Sequence, residues 1–239
     1  MRYAIISDIH SNLVALQNTL DYIKTAKVDS IICLGDVVGY GPRPNECVEL
    51  VKENCEICLM GNHDHAVIGL TDISYFNQYA RESVLWTQRT ISPENKTFLK
   101  DLPFKHEVDS TLFVHSTPIK PEEWDYVFSE NDARHHLDSI SQSLVFIGHS
   151  HIPVVFPYDK SSFFEEQFQL DLEKERYIIN VGSIGQPRNE DPRSCFVIYD
   201  DQEQSVNYVR LEYDVKKTFQ DIIEKKLSPF LAIRLLHGF

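Results

Sequence analysis

Five short blocks in this sequence are made of residue types that bind metal ions: Asp8-Ile9-His10, Gly35-Asp36, Gly61-Asn62-His63-Asp64, His115, and Gly148-His149-Ser150-His151. Each stands where an apolar run ends. Carboxylate, imidazole and amide oxygen together suit Mn²⁺, Fe, Co, Ni or Zn, whereas Mg²⁺ and Ca²⁺ prefer shells made wholly of oxygen. In an extended segment residues two apart share a face, so Asp8 with His10, and His149 with His151, are expected to aim at one pocket. Gly35, Gly61 and Gly148, each directly before a ligand type, are expected to supply backbone conformations closed to other residues.

Taken singly, the blocks have plainer readings. Asp8 could cap a helix beginning near Asn12, and Gly-Asp and Gly-Asn-His-Asp are common turns. His149 and His151 stand out, because two imidazoles beside an apolar strand are costly unless they bind something. Cys55-x-x-Cys58 has metal or redox spacing, but it lies in a strand-like run and no second pair follows, so it reads as structural. The cysteines number five, an odd count without a paired framework, as expected of free thiols in a reducing compartment.

The elements that must position these blocks follow a rhythm of strand, polar stop and helix. Tyr3 to Ser7 is a short apolar run ending at Asp8, and Leu13, Leu16, Leu20 and Ile23 follow at helical spacing. Ile31 to Leu34 is stopped by Gly35-Asp36, and the proline-rich turn from Gly41 to Asn45 leads into a helix through about residue 53. Ile57 to Met60 predicts a third strand. Such alternation points to a parallel sheet with ligands beyond the carboxyl ends of its strands.

Residues 64–100 read as an accessory helical layer, with Ser92 as N-cap and Pro93 at the first helical position of its last segment. Trp86, Phe76 and Tyr79 fall at helical spacing there and read as packing residues rather than a base-stacking platform. Later apolar runs, from Leu112 to Leu211, are closely spaced and predict a second, more antiparallel sheet. Residues 158–176 read as an excursion, and the tail from Asp214 as two helices broken near Ser228-Pro229. No repeat or linker marks a boundary, so residues 1–239 are expected to form one domain.

Lys and Arg number 23 against 36 Asp and Glu, a formal charge of −13. That balance disfavours stable nucleic-acid binding, which needs many cations facing phosphates. Two dications against two ligand carboxylates would still leave about two positive charges in a pocket for a small phosphate compound. The first apolar strand begins at Tyr3, leaving no room for a signal peptide, and no run approaches a membrane span, so a cytoplasmic protein is expected. The sequence leaves the oligomeric state open.

In this order the blocks resemble the calcineurin-like metallophosphoesterase superfamily, whose pattern runs Asp-x-His, Gly-Asp, Gly-Asn-His-Asp/Glu, His and Gly-His-x-His. The stretch Asn180-Val181-Gly182-Ser183-Ile184-Gly185-Gln186-Pro187-Arg188 further resembles a segment of its small bacterial and archaeal branch. Gly39-Tyr40-Gly41-Pro42 and the final Arg234 to Gly238 extend the likeness over the chain. The resemblance implies a four-layer α/β/β/α sandwich of the α/β class and a dinuclear metal-dependent phosphoesterase. It implies two divalent transition-metal ions (Mn, Fe, Zn, Ni or Co), with Asp8, His10, Asp36 and His151 on the first. Asp36 would bridge, and Asn62, His115 and His149 would complete the second. Water activated by the cations would attack phosphorus in line while His63 protonates the leaving alkoxide. His63 as a further metal ligand is the competing reading, and Asp64 is expected to orient its imidazole.

The arginine that the protein Ser/Thr phosphatase branch carries after Gly-Asp is missing here, where Val37-Val38-Gly39-Tyr40-Gly41 follows. Phosphodiesters or nucleotides are therefore the expected substrates, ahead of phosphoproteins. Arg43, Arg188 or Arg193 could contact phosphate instead, with Arg43 and Arg188 the leading candidates. Val181 and Ser116-Thr117-Pro118 also depart from the branch pattern, which affects loop shape but removes no ligand. A dinucleoside polyphosphate hydrolase or phosphomonoesterase fits the same residues. A non-catalytic protein-interaction scaffold, as in the superfamily's retromer subunit, would be marked by lost ligands, and every expected position is filled. His65 could line the pocket, while His106, His135, His136 and His237 read as solvated or core residues.

Overall fold

The structure, a computed structural model, describes residues 1–239. Strand β1 (Arg2–Ile6) feeds helix α1 (Leu13–Thr25), whose buried stripe is Leu16, Leu20 and Ile23. Asn12 caps α1, its side chain accepting from Ala15 N. Then come β2 (Ser30–Cys33), α2 (Pro44–Asn54) and β3 (Ile57–Cys58), followed by α3 (Asn62–Val67), α4 (Gln78–Thr90) and α5 (Pro93–Lys100). Ser92 caps α5 with Pro93 in its first turn. Strands β4 (Lys105–Val108) and β5 (Thr111–Val114) precede α6 (Glu130–Asp138), β6 (Leu144–Ile147), β7 (Val154–Pro157), β8 (Gln167–Gln169) and β9 (Tyr177–Asn180). The chain ends with β10 (Ser194–Asp200), β11 (Ser205–Leu211), α7 (Val215–Glu224) and α8 (Pro229–His237).

Two mixed sheets result, ordered β3-β2-β1-β10-β11-β8 and β4-β5-β6-β9-β7. Alternation along β1 shows how they are covered. Tyr3 and Ile5 face the second sheet, in a core with Phe113, Phe146, Ile179, Val197 and Tyr199. Ala4 and Ile6 face the other way, onto Leu16, Leu20, Val48 and Val51 of α1 and α2. The second sheet's outer face, Leu112, Val114, Val145, Ile147 and Ile178, is covered by Ala133 and Leu137 of α6. These are the four layers of an α/β/β/α sandwich.

The later strands correct the expected division. β10 and β11 join the first sheet, β10 pairing antiparallel with β1 through Ile5 opposite Val197. The reason lies in β10 itself: Phe196 and Ile198 pack under the helices while Val197 and Tyr199 pack between the sheets, as in a central strand covered on both faces. The second sheet is not mainly antiparallel either, for β5, β6 and β9 run parallel. β3 is shorter than expected because Met60 N donates to Pro103 O, outside the sheet. Phe76 is not helical; it follows a single 3-10 turn before α4. No helix is long and apolar enough to cross a membrane.

Phe146 stacks on Phe113 at 5.6 Å and tilts against Tyr199 at 5.2 Å, filling the space between the sheets. Phe146→Ala should lower unfolding free energy by about 3–5 kcal/mol, measured by denaturant titration, because that cavity cannot collapse without moving a sheet.

Candidate metal centre

The C-terminal ends of strands from both sheets meet at one place. Asp8 and His10 follow β1, Asp36 follows β2, and Asn62 and His63 open α3 just beyond β3. His115 follows β5, and His149 and His151 follow β6. The backbone there is not extended, as the two-residue spacing suggested. Asp8, His10, Asp36, His149 and His151 have φ of 54°, 49°, 52°, 66° and 62°. Left-handed conformations in non-glycine residues cost about 1–3 kcal/mol each and persist only where surrounding structure holds them. At Asp8 and around His149 the end of β9 and the segment after it do so. Ser183 Oγ and Gly185 N donate to Asp8 O at 2.9 Å, and Asn180 Nδ2 donates to Gly148 O at 2.5 Å and to Ser150 Oγ at 2.9 Å.

Of the three glycines, only Gly35 uses a positive φ (117°). Gly61 has ordinary extended dihedrals (φ −99°, ψ 166°), and its role is space, since a Cβ there would lie 2.1 Å from Asp36 Oδ1. Gly148 likewise leaves room for Ser7 and Asp8.

Donor atoms converge in three overlapping groups whose members lie within 4.8 Å of one another: Asp8, His10 and His151; His10, Asp36 and His63; and Asp36, His115 and His149. All seven residues are buried. His10 Nδ1 lies 3.1 Å from Val38 O, and His151 Nδ1 lies 2.6 Å from Gln186 O. A carbonyl only accepts, so both Nδ1 atoms carry the proton and both Nε2 atoms present lone pairs. Those Nε2 atoms face each other at 3.1 Å, and His151 Nε2 is 3.3 Å from Asp8 Oδ1. Lone pairs at such range repel unless a cation sits among them. His149 Nε2 donates to Trp124 O at 2.9 Å, which leaves Nδ1 as its accepting atom. Asp8 Oδ1 and Asn62 Oδ1 are buried with no hydrogen-bond partner. Neutral imidazoles oriented by backbone carbonyls, with orphaned oxygen acceptors, fit a divalent metal.

Electrostatics agree. Burial pushes His10 well below its usual range and His149 down to about 3. Burial, aided by the Arg188 charge, also lowers His151. Burial alone would raise Asp8 and Asp36, but imidazolium charge beside them holds both below the carboxylate range, His115 being the histidine that keeps its proton, so they stay ionised. His115 goes the other way: burial would lower it, yet Asp36, with Nε2 3.5 Å from its Oδ2, and then Asp8 hold the imidazole up at about 9. In the metal-free protein at neutral pH this proton is the only positive charge these histidines supply to the two carboxylates.

The cleft above the donors has a volume of about 180 Å³ and is lined by Asp36, Asn62, His63, His149, His151 and Arg188 on its polar side. Tyr40, Tyr75, Phe76, Asn77, Ala80 and Tyr126 complete it. His63 rests between Tyr40 and His10, ring centroids 4.4 and 4.9 Å away, and its Nδ1 has no partner. Asp64 does not orient it. The Asp64 carboxylate accepts from Val37 N, Val38 N and Gly61 N at 3.3, 3.1 and 3.1 Å, closing the turn that carries Asp36. Burial and then Asp36 push Asp64 up to about 7.

Arg43 is also not a cleft residue, being paired with Asp221 at 3.0 Å and Glu46 at 3.5 Å. Arg193 is held by Asp191. Only Arg188 reaches the cleft, its guanidinium over the Tyr40 ring at 5.8 Å. Arg234 lies by that same ring at 5.9 Å. His65 bonds Thr71 Oγ1 at 2.7 Å and stays outside the lining. Tyr40, Tyr75 and Tyr126 were not singled out from sequence; Tyr40 alone carried a signal, inside the Gly-Tyr-Gly-Pro stretch.

Two packed mixed sheets with carboxylate and imidazole donors at their strand ends define a metal-dependent hydrolase class. The chain belongs to the calcineurin-like phosphoesterase superfamily, whose domain model matches residues 1–204. An uncharacterized protein of Methanocaldococcus jannaschii is 41% identical over 243 residues, covering 98% of this chain and 97% of that one. A metallophosphoesterase from Sphaerobacter thermophilus superposes with a TM-score of 0.90 at 37% identity, covering 100% of this chain and 99% of that chain. A hypothetical protein from Pyrococcus horikoshii OT3 shares the fold with a TM-score of 0.83 at 18% identity, over 100% and 98% of the two chains. The protein is thus a phosphoric ester hydrolase of a metal-dependent family.

Two outcomes are expected of the centre. Gly61→Ala should sharply reduce bound metal, measured by elemental analysis of dialysed protein, because the new Cβ displaces the Asp36 carboxylate. Metal uptake should release about one proton from His115, so apparent Mn²⁺ affinity should rise with pH and level off above about 9. Calorimetry in buffers of different ionisation enthalpy counts that proton.

Proposed function

We propose that the protein is a dinuclear phosphoesterase of the cytoplasm acting on small phosphodiesters or nucleotides. The observation that carries this reading is the chain of overlapping donor groups, in which Asp36 belongs to the set around His10 and to the set with His115 and His149. Asp8, His10, Asp36 and His151 would hold one cation, and Asn62, His115 and His149 the other, with Asp36 shared. Mn²⁺, Fe, Co, Ni or Zn suits these mixed nitrogen and oxygen donors better than Mg²⁺ or Ca²⁺. Once bound, such ions neutralise phosphate oxygens and lower the pKa of water.

The chain's own residues supply the rest. Arg188 projects a positive charge into the cleft for a phosphate oxygen, and its donation to Gln186 Oε1 at 2.9 Å limits its rotation. In hydrolysis the water oxygen forms one P–O bond, the P–O bond to the leaving group breaks, and that oxygen needs a proton. His63 lines the cleft beside Asp36 and would deliver it. Burial, with Arg188 nearby, pushes its imidazole down to about 4, and an anionic phosphate entering the cleft works in the opposite sense. Backbone His63 N donates to Asp36 Oδ1 at 2.8 Å, so this segment positions the shared carboxylate as well.

The test is a metal-supplemented screen of phosphate esters, beginning with bis-p-nitrophenyl phosphate and p-nitrophenyl phosphate in Mn²⁺, with Asp36→Asn as inactive control. His63→Ala should keep its metal and lose about 10²–10⁴ in rate, the usual contribution of a positioned acid. Loss of metal in that variant would make His63 a ligand instead, and no turnover of any ester by metal-loaded wild type would sink the proposal.

A further inference from the structure

Tyr75 is 89% exposed, yet it lines the cleft. Its ring stacks on no other ring, and its hydroxyl bonds nothing in the protein. Isolated exposed aromatics are ordinary on surfaces; this one stands in the wall of the cavity that holds the metal donors. Two further features point to a ligand. Phe76 and Asn77, its neighbours, line the same cavity, and Asn77 spends only its Oδ1, accepting from Ala80 N at 3.0 Å as the cap of α4. Its NH₂ has no partner. From a second loop comes Tyr126, stacked on His149 with centroids 4.0 Å and planes 17° apart and on Phe128 at 4.9 Å and 9°, a fixed side wall of the cleft rather than a free face. One part of the cleft wall therefore offers His63, Asn62 and Arg188 to an anion, while another offers aromatic rings and a free amide donor.

We propose that Tyr75, assisted by Asn77 and Tyr126, forms a subsite for a planar aromatic group attached to the substrate's phosphate. Every nucleobase and every aryl ring has a π-face, so the shared chemistry is stacking, with the Asn77 amide free to meet an acceptor on the ring edge. The inference rests on the phosphoesterase reading and makes it more specific. The reading of Phe76, Tyr79 and Trp86 as packing residues stands beside it, Phe76 and Trp86 lying against a buried cluster. Tyr79 does pack, on Phe230 at 4.3 Å, but Tyr75 does not.

Phosphonates, whose C–P bond resists hydrolysis, allow binding to be measured apart from turnover. Mn²⁺-loaded protein is titrated calorimetrically with phenylphosphonate against methylphosphonate, and with the 5′-phosphonate analogue of adenosine monophosphate against that of ribose 5-phosphate. The aromatic member of at least one pair should bind more tightly. Tyr75→Ala should weaken that member by about 5- to 150-fold, the span of base–aromatic stacking by alanine substitution. It should leave the non-aromatic member and the melting temperature unchanged, and Tyr75→Phe should restore affinity. A gain confined to the nucleoside pair identifies a nucleotide subsite, and one confined to the phenyl pair an aryl subsite. Equal binding within both pairs, no binding of any member, or equal weakening of both members by Tyr75→Ala would overturn the inference. Hydrolysis of bis-p-nitrophenyl phosphate is followed in parallel. Turnover with Tyr75 indifferent removes only the subsite, whereas Tyr75-dependent binding with no turnover of any ester removes only the phosphoesterase proposal.

Discussion

The structure depends on a buried repulsion that the protein cannot relieve by itself. His10 and His151 have committed their Nδ1 protons to backbone carbonyls, so their Nε2 lone pairs confront each other and the Asp8 carboxylate. Asp8 and Asp36 are ionised without a guanidinium or ammonium beside them, and His115 offers a proton as partial compensation. A charge buried without partners destabilises a fold by several kcal/mol. The strained left-handed residues, the tight glycine contacts and the loop after β9 all help to maintain this arrangement, which suits the binding of metal.

Much of this was legible in the sequence. Apolar runs ending in Asp8, Asp36, Asn62, His115 and His149 identified both the strands and the donors, because a strand end is where a buried chain can turn a polar side chain into a cleft. The Ser92 cap, Pro93 and the break at Ser228-Pro229 marked helix ends by local chemistry that tertiary packing did not override, whereas the cap of α1 is Asn12 and not Asp8.

What could not be read depended on partners distant in the chain. Strand order is one case: nothing local in β10 says that it lies beside β1, some 190 residues earlier. Dihedrals are another, since spacing suggested alternation where the chain instead takes left-handed turns. Asp64 and Arg43 were misjudged for a related reason. Their types suit catalysis or phosphate, but the Val37 and Val38 amides claim the first, and Asp221, 178 residues away, claims the second. Tyr75 went unremarked because exposure inside a cleft has no signature in residue order.

The seam between the two sheets adds a last point. One sheet presents Asp8, His10, Asp36 and Asn62, and the other His115, His149 and His151, while the spacing between them is held by Tyr3, Phe113, Phe146 and Tyr199. Neither half can adjust its reach to an ion without shifting that greasy wedge. For a metal held across this seam, hydrocarbon thickness would help decide which ionic radius fits, and selectivity could drift through substitutions that never touch a donor atom.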